Sequence, residues 1–446
     1  MTKYKLPFLR HPDPSLQFSW NSAQLGLLIF PLIPLWGAVI LVLVLLGTWF
    51  QKYHTIIRRP QNLGFALLGI LLIISTGFAF DQKVAILGLF NFLPFILFFA
   101  AFSALIQTPA QLRQLSWILV ITSVPVVSIG LGQLFWGWAT PAQWQSIFGW
   151  AIASGGNPPG RMASVFMYAN ILAGYLVIVF ILSLGLWLEA YQKTRVISYS
   201  PRPHVFASLR IPLFLTVVVI ANFVALILTN SRNAWAIAVF ACLVYALYQG
   251  WRILVAGVTA VVTSVLLAAF APSAIAKLFR KFVPAYFWAR LNDQMYSDRP
   301  VVLLRKTQWQ FAWSLTQQRP WTGWGLRNFT QLYEAQMNIW LGHPHNLFLM
   351  LSAETGLPAT ILFCALLVWI FIAGVQFLQN SKSLDPEDRL IFFSYLVVFG
   401  AWVLFNTFDV TFFDLRLNTL SWLPIAAISG VVYRYNQHKK LVAHRS

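Results

Sequence analysis

Apolar runs of about 20 residues decide what this chain can become. A helix needs about that length to cross a bilayer, and in hydrocarbon the backbone can satisfy its own polar groups only as a helix or a closed barrel. Such runs recur along the chain: Leu25–Phe50, Leu63–Phe80, Val84–Ile106, Leu115–Leu134, Ser164–Leu188, Ile211–Leu228, Ala234–Tyr248, Ile253–Phe270, Leu347–Phe377, Leu390–Phe408 and Leu415–Val432. The 446 residues are 59% hydrophobic and 10% charged, against roughly 25% charged in a soluble domain. The expected fold is all-α, a polytopic integral membrane helix bundle. Leu25–Phe50 exceeds one upright span and contains Pro31 and Pro34, so it is either one tilted helix or a hairpin of two short ones. The count is therefore twelve spans or eleven. Twelve keeps both termini, including Lys3, Lys5 and Arg10, on the cytoplasmic side and is preferred. The basic start lacks a short apolar core with a small-residue cleavage site, so no cleaved signal peptide is expected.

Three regions follow from the runs: an N-terminal bundle (1–270), a large outer loop (271–346), and C-terminal spans with a cytoplasmic tail (347–446). The net charge of +19, from 31 Lys and Arg against 12 Asp and Glu, fits cytoplasmic loops facing anionic lipid and calls for no nucleic acid. Lys52, Arg58, Arg59, Arg113, Lys193, Arg195, Arg202, Arg210, Arg252 and Arg434 fall on that side. Arg161, Ser231-Arg232 and the long loop then emerge together on the opposite face. The loop carries nine cations (Lys277, Arg280, Lys281, Arg290, Arg299, Arg305, Lys306, Arg319 and Arg327) against Asp293, Asp298 and Glu334, which implies an anion at that surface. Lys277–Val283 reads as an interfacial helix. Arg305–Leu315 reads as a helix with Trp309 and Trp313 on one face, and Asn328–Trp340 as another. Cys242 and Cys364 lie inside apolar runs and belong to no disulfide or zinc motif.

Arg161 and Arg232 each stand where a span meets a turn. Two roles fit: snorkelling to headgroups, or bidentate grip on phosphate, with the pair clamping a pyrophosphate. His343 and His345 flank Pro344; one of them is either a structural histidine or a general base that titrates near neutrality. The outer-face carboxylates Asp81, Asp293, Asp298, Glu334, Glu354, Asp409 and Asp414 form no acidic cluster in sequence, so a metal-dependent mechanism is not expected.

Four short pieces then fall in a familiar order: Gly160-Arg161-Met162-Ala163-Ser164-Val165-Phe166 with Ala169-Asn170; Leu228-Thr229-Asn230-Ser231-Arg232; Arg305, Trp309 and Pro320-Trp321-Thr322-Gly323-Trp324-Gly325; and His343-Pro344-His345-Asn346-Leu347 with Glu354-Thr355-Gly356-Leu357. Their order and context, over about residues 155 to 360, resemble the bacterial O-antigen ligase and O-antigen polymerase superfamily. The resemblance implies a GT-C type glycosyltransferase of the bacterial inner membrane. It would move a glycan from undecaprenyl pyrophosphate to an acceptor hydroxyl at the periplasmic face, without metal, ATP or other cofactor. The residue matching His345 would help deprotonate the acceptor, and those matching Arg161 and Arg232 would hold the pyrophosphate. Arg305, Arg327, Ser231, His343 and Asn346 complete the expected substrate-binding set. The expected partners are a lipid-linked glycan donor, a glycan or glycolipid acceptor and membrane lipids. The family's Asn usually follows Pro, whereas Ala169 precedes Asn170 here, so Asn170 carries less weight. Two other classes are weighed beside this one. A transporter of a small anion such as bicarbonate would keep ionisable groups deep in the membrane and show repeated halves, whereas the sequence has almost no mid-span charge and no clear internal repeat. A non-catalytic scaffold would bind anionic lipid or polysaccharide through the loop without turnover.

Overall fold

The computed structural model describes residues 10–141, 143–197, 205–292, 294–296, 300–381 and 384–443. Lys3, Lys5, Arg202, Asp293, Asp298, Arg299 and Arg445 lie outside them. Among the described residues every regular element is helical. In chain order the elements are α1 (Gln17–Ile29), α2 (Pro34–Ile57), α3 (Pro60–Gly77), α4 (Gln82–Leu89), α5 (Leu93–Leu105), α6 (Pro109–Phe135), α7 (Trp144–Phe148), α8 (Ala169–Ile197) and α9 (Val205–Leu228). They continue as α10 (Arg232–Tyr248), α11 (Arg252–Phe270), α12 (Ser273–Arg280), α13 (Ala285–Leu291), α14 (Arg305–Gln318), α15 (Phe329–Met337), α16 (Leu347–Asn380), α17 (Pro386–Asn406) and α18 (Leu415–Ala443).

Among the described residues ten segments are long and apolar enough to cross a membrane, with α4 and α5 together forming one of them. α10 is a shorter apolar helix of 17 residues and brings the count to eleven, while α1, with 13 residues and a polar first half, is not apolar enough to add the twelfth that the charge pattern favoured. The first apolar run is neither one tilted helix nor two short ones: α2 is by itself long enough to cross, and α1, which starts ahead of the run at Gln17, packs back along it. The chain turns between α1 and α2, where Pro34 occupies the first turn of α2 and costs that helix no donor it would have used. Gly37 permits the tight return, since a Cβ there would stand 2.6 Å from the Phe30 Cα. A second break, between α4 and α5 ahead of Pro94, was not expected from the apolar pattern, which runs straight through it.

Enclosure grades across the bundle. α8 and α18 are almost wholly surrounded by protein, whereas α11 hangs at the rim with its apolar side chains outward. Trp422 of α18 centres an aromatic cluster with Phe65, Phe99, Phe363 and Phe412, at ring separations of 5.3, 6.2, 6.3 and 6.4 Å.

The two ends of the bundle differ chemically. At one end Arg113 bridges Glu189 and Asp388 at 2.9 and 2.8 Å, and Lys193 bridges Glu189 and Glu387 at 2.7 Å each. This network ties α6, α8 and α17, whose ends the charge pattern placed on one side. At the other end the long loop folds back over the bundle. α14 packs along α16 and is followed by the glycine-rich turn at Pro320–Gly325. That turn fits a break in α16, where Gly356 leaves the helix at φ 79°, ψ 168°. The break frees backbone groups at the head of a membrane-spanning helix, where none can stay unpaired. The turn satisfies them: Leu357 N–H donates to the Pro320 carbonyl (2.7 Å), Trp324 N–H to Ala353 (3.0 Å) and Gly325 N–H to Glu354 (2.7 Å). Ser75 of α3 adds a hydroxyl donor to the Thr322 carbonyl at 2.7 Å.

Candidate active site

The turn before α8 carries Arg161. Its backbone lies along the end of α9, with Met162 N–H donating to the Leu228 carbonyl at 2.9 Å. Gln133 of α6, buried, accepts from the Ala163 and Ser164 amides at 3.1 and 2.8 Å. Arg416 of α18, also buried, donates to the Val165 carbonyl at 2.9 Å and stacks 4.0 Å over Phe166. These supports aim the Arg161 guanidinium, whose Nε donates to the Thr229 carbonyl at 2.8 Å and whose Nη2 donates to the Asn170 side-chain oxygen.

Asn170 passes the contact on. Its amide donates to Asp409 Oδ2 at 3.3 Å. Asp409 sits in the turn between α17 and α18, where its other oxygen accepts from the Val410 amide at 2.9 Å. That oxygen also faces His345 Nδ1 at 3.5 Å and His343 Nε2 at 3.8 Å. One chain of polar contacts therefore runs from Arg161 through Asn170 and Asp409 to His345. The sequence reading gave Asn170 little weight and saw Asp409 only as one of several outer-face carboxylates. Asp409 lies 64 residues beyond His345, a separation at which spacing carries no signal. The available clue was a carboxylate in the short aromatic turn between the last two spans.

The electrostatics of the three groups are coupled. Burial disfavours a charged imidazole and pushes His343 down to about 4, against the opposing pull of Asp409. His343 is thus neutral at neutral pH, with Nδ1 accepting the His345 backbone N–H at 3.1 Å. Its proton must then lie on Nε2, toward Asp409. Burial alone would raise the Asp409 carboxyl, yet the His345 hydrogen bond and the nearby imidazoles outweigh it and hold the group below its ordinary value. With the carboxylate facing Nδ1 of His345, that nitrogen carries the proton and Nε2 keeps a free lone pair, as in an aspartate-oriented histidine base.

His343, His345 and Asp409 also bring three donor atoms within 4.8 Å of one another, close enough to raise a metal site. The outer-face carboxylates form no cluster in sequence, and it is the fold that brings one of them, Asp409, beside the two histidines. The tautomer of His343 opposes coordination, however. A metal on Nε2 needs a proton on Nδ1 for donation outward, and Nδ1 here accepts a backbone N–H.

Arg305 and Arg327 border the cluster through its aromatic wall. Arg305 lies 5.9 Å from the Phe408 ring centroid and Arg327 5.8 Å from that of Phe413, against which the His343 ring stacks at 5.8 Å. Trp309 fixes the histidine turn by donating its indole N–H to the Pro344 carbonyl at 3.0 Å, while Trp313, expected beside it, is exposed. Arg232 flanks the same 229–231 turn that Arg161 touches, but its guanidinium donates to the Arg290 carbonyl of α13. Its neighbour Asn233 donates to the Phe405 carbonyl at 3.0 Å, closing the turn onto the end of α17. Ser231 is buried and makes no capping hydrogen bond to α10. Asn346 caps α16, its oxygen accepting from the Leu349 amide at 3.0 Å. Neither makes contact with the Asp409 cluster in the hydrogen bonds described.

Backbone strain gathers at the same place. Positive φ values at Ser164 (50°), Asn230 (57°), Arg327 (62°) and His345 (51°) fall in the turns that bear the site, a conformation that non-glycine residues adopt only when the surroundings impose it.

A comparison with curated proteins finds no match. Residues 215–364 match the model of the O-antigen ligase family, a stretch from α9 through the long loop into α16 that holds Arg232, Arg305, Arg327 and His345. The match supports membrane glycosyl transfer on lipid-linked glycans in general and lends nothing to the transporter alternative. With ten segments among the described residues long and apolar enough to cross a membrane, and with residues 215–364 similar to the O-antigen ligase family, the chain is a multi-pass membrane protein that carries an O-antigen ligase-like segment.

Proposed function

We propose that the protein transfers a glycan from a lipid pyrophosphate of the undecaprenyl type to an acceptor hydroxyl at the periplasmic face of the inner membrane. The observation that carries the reading is the contact chain from Arg161 through Asn170 and Asp409 to His345, which joins a phosphate-binding cation to an oriented base. His345 Nε2 takes the proton of the acceptor hydroxyl as its oxygen attacks the anomeric carbon. The bond from that carbon to the pyrophosphate oxygen breaks, and the lipid pyrophosphate leaves with the electron pair. Arg161 and Arg232 meet the negative charge that grows on the leaving group, with Arg305 and Arg327 on the rim. Fixed cations at a dry boundary need no reorganisation as that charge develops. The proton held on His345 then passes to solvent. Asp409 holds His345 in the tautomer that leaves Nε2 free and stabilises the imidazolium.

Transfer from a lipid-linked glycan by the purified protein in lipid tests this. His345→Ala and Asp409→Asn are expected to lower kcat on the order of 10²–10⁴-fold, and Arg232→Ala on the order of 10²–10³-fold. Undiminished transfer by both His345→Ala and Arg232→Ala removes the assignment.

A further inference from the structure

The loop helices α12 and α13 stand apart from the site just described, yet they end on one of its arginines. α11 leaves the membrane at Phe270, and α12 begins at Ser273. α11 is the least enclosed of the spans, its side chains facing outward into lipid. With two residues between them, α12 starts at headgroup depth. Ile275, Leu278 and Phe282 recur on one face of α12 and its extension and are exposed at 46%, 54% and 80%, so none of the described residues covers that stripe. Lys277 and Lys281 flank the opposite side and are exposed, while Ala276 is buried against the neighbouring protein. An exposed apolar stripe below and cations above, at headgroup depth, match an anionic lipid surface in both chemistry and charge.

The helix is also geared to the site. Arg280, at its last residue, donates from Nε to the Ala268 carbonyl at 2.8 Å and stacks 4.0 Å over Trp288 of α13. Arg290, two residues further along α13, is buried. It donates to the side chain of Asn230, and its carbonyl accepts from Arg232. The position of α12 therefore sets that of α13, and α13 closes on the turn that presents Arg232.

We propose that α12 docks on anionic phospholipid headgroups and that this contact, relayed through Arg280, Trp288 and Arg290, holds Arg232 in its working position, so that turnover depends on anionic lipid. The regulatory half rests on the transferase reading above; the docking half does not.

The full-length protein is reconstituted into phosphatidylcholine nanodiscs with and without phosphatidylglycerol. Hydrogen exchange over residues 273–283 reports docking, and glycan transfer reports coupling. Phosphatidylglycerol is expected to protect that segment and to raise kcat. The double variant Lys277→Gln with Lys281→Gln is expected to need roughly 30-fold more anionic lipid for the same protection, at about 1 kcal/mol for each lysine near a charged surface, and raising the salt is expected to weaken the response. Equal protection in both lipids overturns the docking and with it the proposal. Lipid-dependent protection with measurable transfer at the same rate in both lipids overturns the coupling. Lipid-dependent protection with no transfer in either lipid keeps the docking and instead removes the transferase assignment.

Discussion

His343 shows how much one half-buried ring can decide. It accepts the His345 backbone N–H, and its neutral state fixes where its own proton sits and so what Asp409 faces. Because its folded value of about 4 lies below the ordinary 6.5, the unfolded chain binds a proton before the folded one does. Its stabilising contribution is complete above pH 6.5 and is lost as the pH falls from 6.5 toward 4. A fifth of the side chain is exposed, so the effect is expected to be about 2 kcal/mol rather than the full shift. Thermal unfolding of the purified protein is expected to move to lower temperature across that interval, and His343→Gln, which stays neutral, is expected to flatten the dependence. A slope unchanged by that substitution assigns the titration elsewhere.

The decisive element is the break in α16 and the turn that fills it. The glycines of Pro320–Gly325 are placed for a specific reason. Gly323 has φ +67°, and a Cβ on it would stand 2.4 Å from the Glu354 carbonyl group. A side chain there both strains the backbone and pries the turn off the helix it satisfies. Gly323→Ala is expected to cost about 1–3 kcal/mol and to lower the thermal midpoint. Because α14, α15 and the histidine turn all hang from this junction, transfer is expected to fall with it. A variant of unchanged stability shows that the junction tolerates the side chain.

Across the whole molecule, the two polar ends have separate jobs. The Arg113, Glu189, Lys193, Glu387 and Asp388 network binds three spans at the end far from the histidines, and Glu189 within it is 8% exposed. Removing one partner leaves a carboxylate poorly compensated. Arg113→Met is expected to cost about 1–3 kcal/mol, less than a fully buried pair would. Transfer per folded molecule is expected to stay at the parent level, since the network ties the helix ends opposite those that carry the site. Comparing thermal midpoint with kcat in the same preparation checks both halves, and a loss of kcat at unchanged stability contradicts the separation.

The apolar runs by themselves determined the class of fold, the order of the spans and which connections share a side. Those properties follow from segment length and local charge, which a bilayer reads residue by residue. They also led to Arg161, Arg232 and His345, because a cation or imidazole at the edge of a greasy run is conspicuous. A break near Pro31 and Pro34 was legible as one of two options, but the full length of α2 and the return of α1 along it were set by tertiary packing through Gly37 and Phe30. The partner of His345 was not legible. Asp409 and Asn170 reach it from different spans, and Arg416 steadies the Arg161 turn from a third. The tautomer of His343 depends on a single backbone N–H. Such relations are set by how distant helices pack, and a linear pattern holds no record of which of several outer-face carboxylates will end beside which ring.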